Sequence, residues 1–440
     1  MNIVIQLSKF MFILLILLYC LEAYTYFRKK TPEKKKALLK RQIVVIYTMV
    51  ILGYVIIFIN TMNYLVLLLC GGIIVYYAVT LMCYRLIYPK ASMLLVNDML
   101  MLLSIGFIII ARLDMDEAVK QFMIAAGGTV VAFLIPVIVR KLKILPKLTW
   151  LYAALGIASL LVVLGLATIS GGAKLSLTVG GITIQFSELV KITLVFFMAA
   201  MLSKDSHFKS VAVTTIVAGI HVIILVLSTD LGTALVFFVT YLVMVYVATR
   251  KPAYTAVGLG AGVLAGIAAY FLFAHVRKRV VAWQDPFKVY DSSGYQIVQA
   301  LFAIGAGGWF GAGLCQGSPD TIPVASKDFV FAAICEEFGS VFAISLILVC
   351  MSMFLLIVNI SFEIRDKFYK LVALGLGTEY AFQVFLTIGG VTKFIPMTGI
   401  TLPLVSYGGS SVMSTIIMLA IVQGLYILRE DEGAAELEEA

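Results

Sequence analysis

Long apolar runs alternate with short polar breaks along this chain, and the runs set its architecture. A helix needs roughly twenty consecutive apolar residues to cross the hydrocarbon core, where every backbone N–H and C=O must be satisfied within the segment. By that measure the sequence predicts about thirteen transmembrane helices, over 5–27, 42–62, 64–84, 93–112, 120–139, 149–168, 187–203, 210–228, 231–248, 253–274, 329–358, 367–390 and 404–428. The first run, MNIVIQLSKFMFILLILLYCLEAYTYF, is too long for a signal peptide and lacks a small-residue cleavage site. It therefore reads as a retained span. The expected fold class is an all-α polytopic membrane protein.

The breaks orient the spans. FRKKTPEKKKALLKRQ (27–42), RLIYPK (85–90), RKLKILPK (140–147), SKDSHFK (203–209), TRKP (249–252) and EIRDKFYK (363–370) are basic. With thirteen spans all of these fall on one side, which the positive-inside tendency makes cytoplasmic. The amino terminus is then expected outside, and the acidic tail REDEGAAELEEA (429–440) inside. The opposite side receives 113–119, 169–186, 229–230, a long extracytoplasmic loop at 275–328, and 390–403.

Composition agrees with a membrane protein. Of 440 residues 62% are hydrophobic and only 13% charged, with a mean hydropathy of +1.05. That leaves too few polar residues to cover a soluble surface. The net charge of +9 is accounted for by the cytoplasmic loops and gives no reason to expect nucleic acid. Of six cysteines only Cys315 sits in a long loop, and no disulfide framework or metal-type spacing is visible. His207, His221 and His275 are scattered, so neither a zinc site nor a Ser/His/Asp relay is indicated.

The 275–328 loop is the candidate working surface, because a loop this long in a hydrophobic chain is functional or disordered and its aromatic, Gly-rich texture argues against disorder. Arg277, Lys278 and Arg279 break the charge rule there. They either snorkel to the headgroups or capture an anionic, phosphorylated headgroup. Gln296 and Gln299 add amide groups in its middle. GAGGWFGAGLCQG has no strict G-x-G-x-x-G and no Walker-type Lys, so tight turns and close approach of the backbone to a ligand or the membrane are expected instead of a nucleotide site. Asp328 closes the loop, and by residue type alone it reads as a helix cap. Glu336 and Glu337 follow about two turns into the next span, where ionisable groups are expensive and usually functional. Helical spacing sets Asp328, Lys327 and one of these glutamates on neighbouring faces. Such a cluster could hold a divalent cation or create a base of raised pKa.

Three further features carry polar groups into spans. Glu188 and Lys191 stand at i and i+3 in QFSELVK, either as a helix-surface pair or as inward-facing groups. Asp230 opens DLGTA as a cap, and Glu379 and Gln383 stand at i and i+4 inside a span. The stretch GGVTKFIPMTGITLPLVSYGGSS (389–411) joins Lys393, Pro396, Gly399 and Pro403 to the serines Ser406, Ser410 and Ser411. Irregular backbone at membrane depth has to be buried in protein or line a wet cavity. The stretch is therefore a second wall for a site whose first wall is 275–328, or a structural re-entrant turn.

In order, RLDMDEAVKQ, GAKLSLTVGGITIQFSELVK, DLGTAL, AWQDPF, GYQIVQALFAIGAGGWFGAGL, SKDFVFAAICEEFG and PMTGITLPLVSYGGSS resemble the SEDS family (shape, elongation, division and sporulation), which includes FtsW, RodA and SpoVE. The resemblance implies a ten-helix core at 92–428 carrying an extra transmembrane segment at 1–91. It implies a peptidoglycan glycosyltransferase that polymerises lipid II, the undecaprenyl-pyrophosphate-linked disaccharide peptide, at the outer face of the bacterial cytoplasmic membrane. It also implies a class B penicillin-binding protein as partner. The family's essential acidic residue falls on Asp328 and its Glu and Lys on Glu188 and Lys191. Arg277, Lys278, Arg279, Glu188, Lys191 and Lys393, with Gln296, Gln299, Ser406 and Ser410, are then candidate substrate contacts. Mg²⁺ or Mn²⁺ near Asp328, Glu336 and Glu337 is the one cofactor expected, with no organic cofactor. Departures from the family pattern are Leu175-Ser176, Phe186, Val324, Ser326, Thr387 and Lys393.

Two other readings come from different classes. A lipid II flippase would show inverted repeats and a polar path through the bundle, and Glu379 is the residue that keeps it open. A catalytically inactive scaffold for a cell-wall synthase would fit the departures just named.

Overall fold

The structure, a computed structural model, describes the backbone of residues 2–166, 177–179 and 182–439, and the side chains of 6–165 and 185–432. Among these residues lie seventeen α-helices: α1 (Asn2–Arg28), α2 (Pro32–Thr61), α3 (Tyr64–Ile87), α4 (Met93–Leu113), α5 (Met115–Ala132), α6 (Ile135–Lys141), α7 (Thr149–Leu166), α8 (Phe186–Lys204), α9 (Phe208–Leu227), α10 (Leu231–Thr249), α11 (Pro252–Leu272), α12 (Ala274–Gln284), α13 (Tyr295–Gly307), α14 (Val330–Phe338), α15 (Ser340–Glu363), α16 (Lys367–Val391) and α17 (Gly409–Glu439). Counting Met115–Lys141 once, twelve helices are long and apolar enough to cross a membrane, and Thr149–Gly165 is a shorter apolar helix. Each of the predicted spans thus has its helix.

Two expectations are corrected. The 275–328 loop is largely helical, holding α12, a π-turn at Tyr290–Gly294 and α13. The predicted span 329–358 is two helices, α14 and α15, parted at Gly339. The expected all-α class holds, with one short hairpin beside the helices. Strands β1 (Leu177–Val179) and β2 (Ile182–Ile184) pair antiparallel, Leu177 opposite Ile184. The sequence LTV-GG-ITI carries that hairpin signal, β-branched triplets around Gly-Gly. Residues 169–176, 180 and 181 of the expected loop, Leu175-Ser176 among them, lie outside the described residues.

The chain divides into two compact units. The first comprises Met1–Gly127, Arg279–Met353 and Thr387–Gly408. Its axis is α4, buried at every residue from Leu94 to Ala111. Its buried polar side chains find hydrogen-bond partners, as buried polar groups generally do. Asn97 Nδ2 donates to Gln42 Oε1 at 2.9 Å, and Asp98 accepts from Tyr19 at 2.7 Å and from Ser352 at 3.1 Å. A Cβ on Gly106 would lie 2.7 Å from the carbonyl oxygens of Leu404 and Val405. Glycine there lets the irregular 389–408 stretch press onto α4, and its Leu402–Ser406 part is buried in protein.

Gly339 parts α14 from α15 for a local reason. Its φ is 87°, and a Cβ would fall 2.4 Å from the Gly311 nitrogen, so only glycine fits. The break leaves the last carbonyls of α14 and the first amides of α15 without intrahelical partners. The glycine-rich stretch 307–313 satisfies both. Ala312 and Gly313 N–H donate to Glu336 and Glu337 O, each at 2.9 Å, while Ser340 N–H donates to Gly308 O at 2.9 Å and Val341 N–H to Trp309 O at 3.2 Å. The close approach expected of these glycines is therefore made to α14.

The second unit comprises Gly128–Lys278, Phe354–Leu386 and Gly409–Ala440. Here α7 packs along α8, α9 along α10, and α6 along α17. α11 contributes no buried residue.

Candidate active site

Asp328 sits in a run of turns just before α14, whose N-cap is Phe329 without a side-chain cap bond. The cap reading of Asp328 is thereby corrected. The residue is partly exposed, and its carboxyl is not spent on the helix. What holds it is the 389–408 stretch. Ser406 Oγ donates to Lys327 O at 2.6 Å, and Tyr407 N–H donates to Ser326 O at 2.7 Å. Ser406 Oγ also accepts from Leu402 N–H at 2.9 Å. Gln121 of α5 fastens the same turn, donating to Ser406 O and accepting from Gly408 N–H, both at 3.0 Å. Ser406, 1% exposed, is thus a clasp inside the wall and presents no hydroxyl to a substrate.

One cation reaches the carboxylate from α12. Arg279 Nη1 donates to Thr398 O at 3.0 Å. A Cβ on Gly399, whose φ is 77°, would lie 3.7 Å from both Arg279 Nη2 and Asp328 Oδ2. Glycine therefore keeps open a small space flanked by acid and guanidinium. Trp283 Nε1 donates to Lys393 O at 3.1 Å, docking α12 on the same stretch. Surrounding protein pushes the Asp328 carboxyl above the usual carboxylate range, while Arg279 and Lys327 draw it back. Lys327 itself lies 3.9 Å from Glu117, which accepts from Ser326 Oγ at 2.6 Å.

Glu336 and Glu337 do not join Asp328. Glu336 accepts from Ser318 N–H at 2.7 Å. Glu337 accepts from Cys315 N–H at 3.2 Å and from Arg112 Nε at 2.9 Å, and Arg112 also donates to Gly317 O at 3.3 Å. Both glutamates hold the 315–320 stretch. No group of three or more His, Cys, Asp and Glu suited to a metal ion occurs among the described residues.

In the second unit Glu188 and Lys191 form a buried ion pair at 2.7 Å. Lys191 also donates to Gln383 at 2.7 Å, and Glu188 accepts from Ser414 at 2.9 Å. Nearby, Asp230 caps α10 through Thr233 N–H at 3.1 Å and accepts from Ser187 at 3.1 Å. The inward-facing reading of this pair is the one the structure bears out. Ser410 Oγ accepts from Gln185 N–H at 2.9 Å.

The remaining sequence candidates scatter. Arg277 and Lys278 are exposed on α12, Gln296 is exposed on α13, and Gln299 donates to Tyr290 at 3.0 Å. Sequence reasoning missed Arg112, Glu117 and Gln121. All three lie in or beside RLDMDEAVKQ, where an Arg ending an apolar span was the signal. It also missed Asp98, an acid in the middle of an apolar run.

Residues 85–430 match the model of a cell cycle protein family, FtsW/RodA/SpoVE. The peptidoglycan glycosyltransferase RodA of Mycobacterium tuberculosis (strain ATCC 25618 / H37Rv) is 35% identical over 363 residues, covering 76% of this chain and 77% of the relative. Stage V sporulation protein E of Bacillus subtilis (strain 168) is 33% identical over 354 residues, covering 75% and 94%. Among solved structures, a chain of a peptidoglycan synthase complex described as coordinating polymerization and crosslinking superposes with a TM-score of 0.67 at 25% identity, over 78% of this chain and 98% of that one. The crystal structure of the Thermus thermophilus rod shape determining protein RodA shares the fold, with a TM-score of 0.59 at 24% identity over 76% and 96%.

Proposed function

This chain belongs to the FtsW/RodA/SpoVE family of cell cycle proteins, and we propose that it is a multi-pass bacterial membrane glycosyltransferase that polymerises lipid II into peptidoglycan strands. The observation that carries the reading is the space at Gly399, with Asp328 and Arg279 each 3.7 Å from its Cβ position. A base and a cation set side by side are what this reaction needs.

In the reading, an acceptor sugar hydroxyl attacks the anomeric carbon of the donor. The new O–C1 bond forms as the C1–O bond to phosphate breaks, its electron pair leaves with the polyprenyl pyrophosphate, and the configuration inverts. Asp328 takes the hydroxyl proton, a role typically worth about 10²–10⁴-fold. A carboxyl kept above the usual range by its surroundings is a stronger base than a free one. Arg279 and Lys327 supply positive charge where the pyrophosphate charge grows. Because pyrophosphate is already a good leaving group, no second carboxylic acid is required, unlike a glycosidase. In this reading Glu336 and Glu337 serve to hold the chain, through Arg112 and backbone amides.

The working partner in this reading is a class B penicillin-binding protein that crosslinks the new glycan. Support comes from the likeness to a chain of a peptidoglycan synthase complex. The reading also puts the amino terminus outside and the acidic tail in the cytoplasm, on the strength of the basic loops. Purified protein incubated with lipid II, wild type against Asp328→Asn, tests the core of it. Glycan polymer from wild type and none from the variant is expected. Normal polymerisation by the variant would remove Asp328 from the chemistry.

A further inference from the structure

α1 and α2 lie wholly outside the family match, which begins at residue 85, yet one face of α1 runs along the α14–α15 break. Lys9, Phe12, Ile16, Tyr19 and Ala23 recur at i+3 and i+4 and so share that face. Phe12, Ile16, Tyr19 and Ala23 are each 0% exposed. Their partners are specific. Lys9 Nζ donates to Gly311 O at 3.2 Å, and Phe12 meets Phe338 edge to face with ring centroids 5.0 Å apart. Cys20 Sγ, beside Tyr19, donates to Ser345 O at 3.3 Å. Tyr19 OH donates to one oxygen of Asp98 at 2.7 Å, while Ser352 of α15 donates to the other at 3.1 Å.

That last arrangement separates α1 from a helix that merely fills space. Apolar helices can slide past one another, but a buried carboxyl shared by two hydroxyls fixes α1, α4 and α15 in one register. Both struts that α1 grips lead to the turn before α14. Phe338 is the last residue of α14, a nine-residue helix about 13 Å long, and Asp328 stands two residues before its first turn. α4 carries Arg112 at its far end, and Arg112 holds Glu337 and the Gly317 carbonyl.

We propose that Lys9, Phe12 and Tyr19 are positioning residues for the polymerase reaction. The appended helix α1 braces the glycine-rich break and so fixes where Asp328 stands relative to Arg279 and Gly399. The proposal rests on the reading of Asp328 as the base, and its test keeps the two apart. The full chain in lipid nanodiscs is compared as wild type, Lys9→Met/Phe12→Ala, Tyr19→Phe, the conservative Lys9→Arg, and Asp328→Asn. Lipid II turnover and amide hydrogen exchange are measured for each.

The Lys9→Met/Phe12→Ala variant is expected to lose about ten- to a hundred-fold in kcat, the scale of an ångström-sized misplacement, with apparent KM within about two-fold of wild type. Exchange should quicken across 308–341 while α8 and α9 keep wild-type rates. Tyr19→Phe should fall in the same direction, and Lys9→Arg should behave as wild type. Unchanged kcat overturns the proposal. So does a loss of rate accompanied by faster exchange throughout the chain, because that is a purely structural effect. If Asp328→Asn still polymerises while exchange at 308–341 responds, the Asp328 reading falls and the brace stands. If Asp328→Asn is inactive but the α1 variants keep wild-type kcat and exchange, the brace falls.

Discussion

Gly307→Ala probes the splice between α13 and α14 with a single methyl group. A Cβ at Gly307 would lie 2.0 Å from the Cys335 carbonyl oxygen, 1.4 Å short of the 3.4 Å at which ordinary contact begins, and 2.8 Å from Glu336 Cα. The obstructing atoms are all backbone, so no rotamer change relieves the clash and α13 has to retreat from α14 by about an ångström. Overpacking of this kind costs about 1–3 kcal/mol, partly offset by the roughly 1 kcal/mol that Ala gains over Gly in a helix. Net destabilisation of about 0–2 kcal/mol is expected. The larger effect should be on rate. α14 carries Asp328 just ahead of its first turn, and a misplacement near 1 Å costs about 10²-fold. Gly305→Ala is the internal control, on the same helix with nothing within 4 Å of its Cβ. Lipid II polymerisation and thermal unfolding of both variants, followed through the chain's three tryptophans, give the comparison. Equal rates and equal unfolding temperatures for the two would refute the idea that this contact sets α14.

Three more outcomes follow from the site. As the proposed base Asp328 works deprotonated, and its carboxyl is held above the usual carboxylate range, so activity should rise with pH along an acid limb displaced upward; Arg279→Gln, removing a group that draws it down, should move that limb higher still. Lys191→Met leaves Glu188 buried without its cation, an error worth about 3–5 kcal/mol, and the double variant Glu188→Gln/Lys191→Met should recover most of it in thermal unfolding. Ser406→Ala strands the Lys327 carbonyl and the Leu402 amide, costing about 1–3 kcal/mol for each group left unpaired, and turnover should fall even though Asp328 is intact; turnover matching wild type would mean the turn holds without its clasp.

Thirteen apolar runs were legible because length and hydropathy alone decide whether a helix can span a bilayer. Gly339 was not, since FVFAAICEEFGSVFAISL reads as one continuous run. A backbone break shows only when the chain that repairs it, 307–313, is seen lying across it. Glu188 and Lys191 could be paired from spacing, being neighbours on one helix. Ser406 could not be assigned its partner, because a clasp on Lys327 is a tertiary fact that no local period encodes. Arg112 and Gln121 were hidden for the same reason: their partners lie 225 and 285 residues away.

The Ser406 clasp has a consequence for biosynthesis. Lys327 leaves the ribosome 79 residues before Ser406, which at about 5–20 residues per second is about 4–16 s. Throughout that interval the turn bearing Asp328 exists without the stretch that secures it. The reactive centre can therefore be completed only near the end of translation, once the chain is almost wholly inserted. A ribosome-stalled chain ending before Ser406 should show the 323–329 turn open to protease, and one extending past Gly408 and clear of the exit tunnel should show it protected.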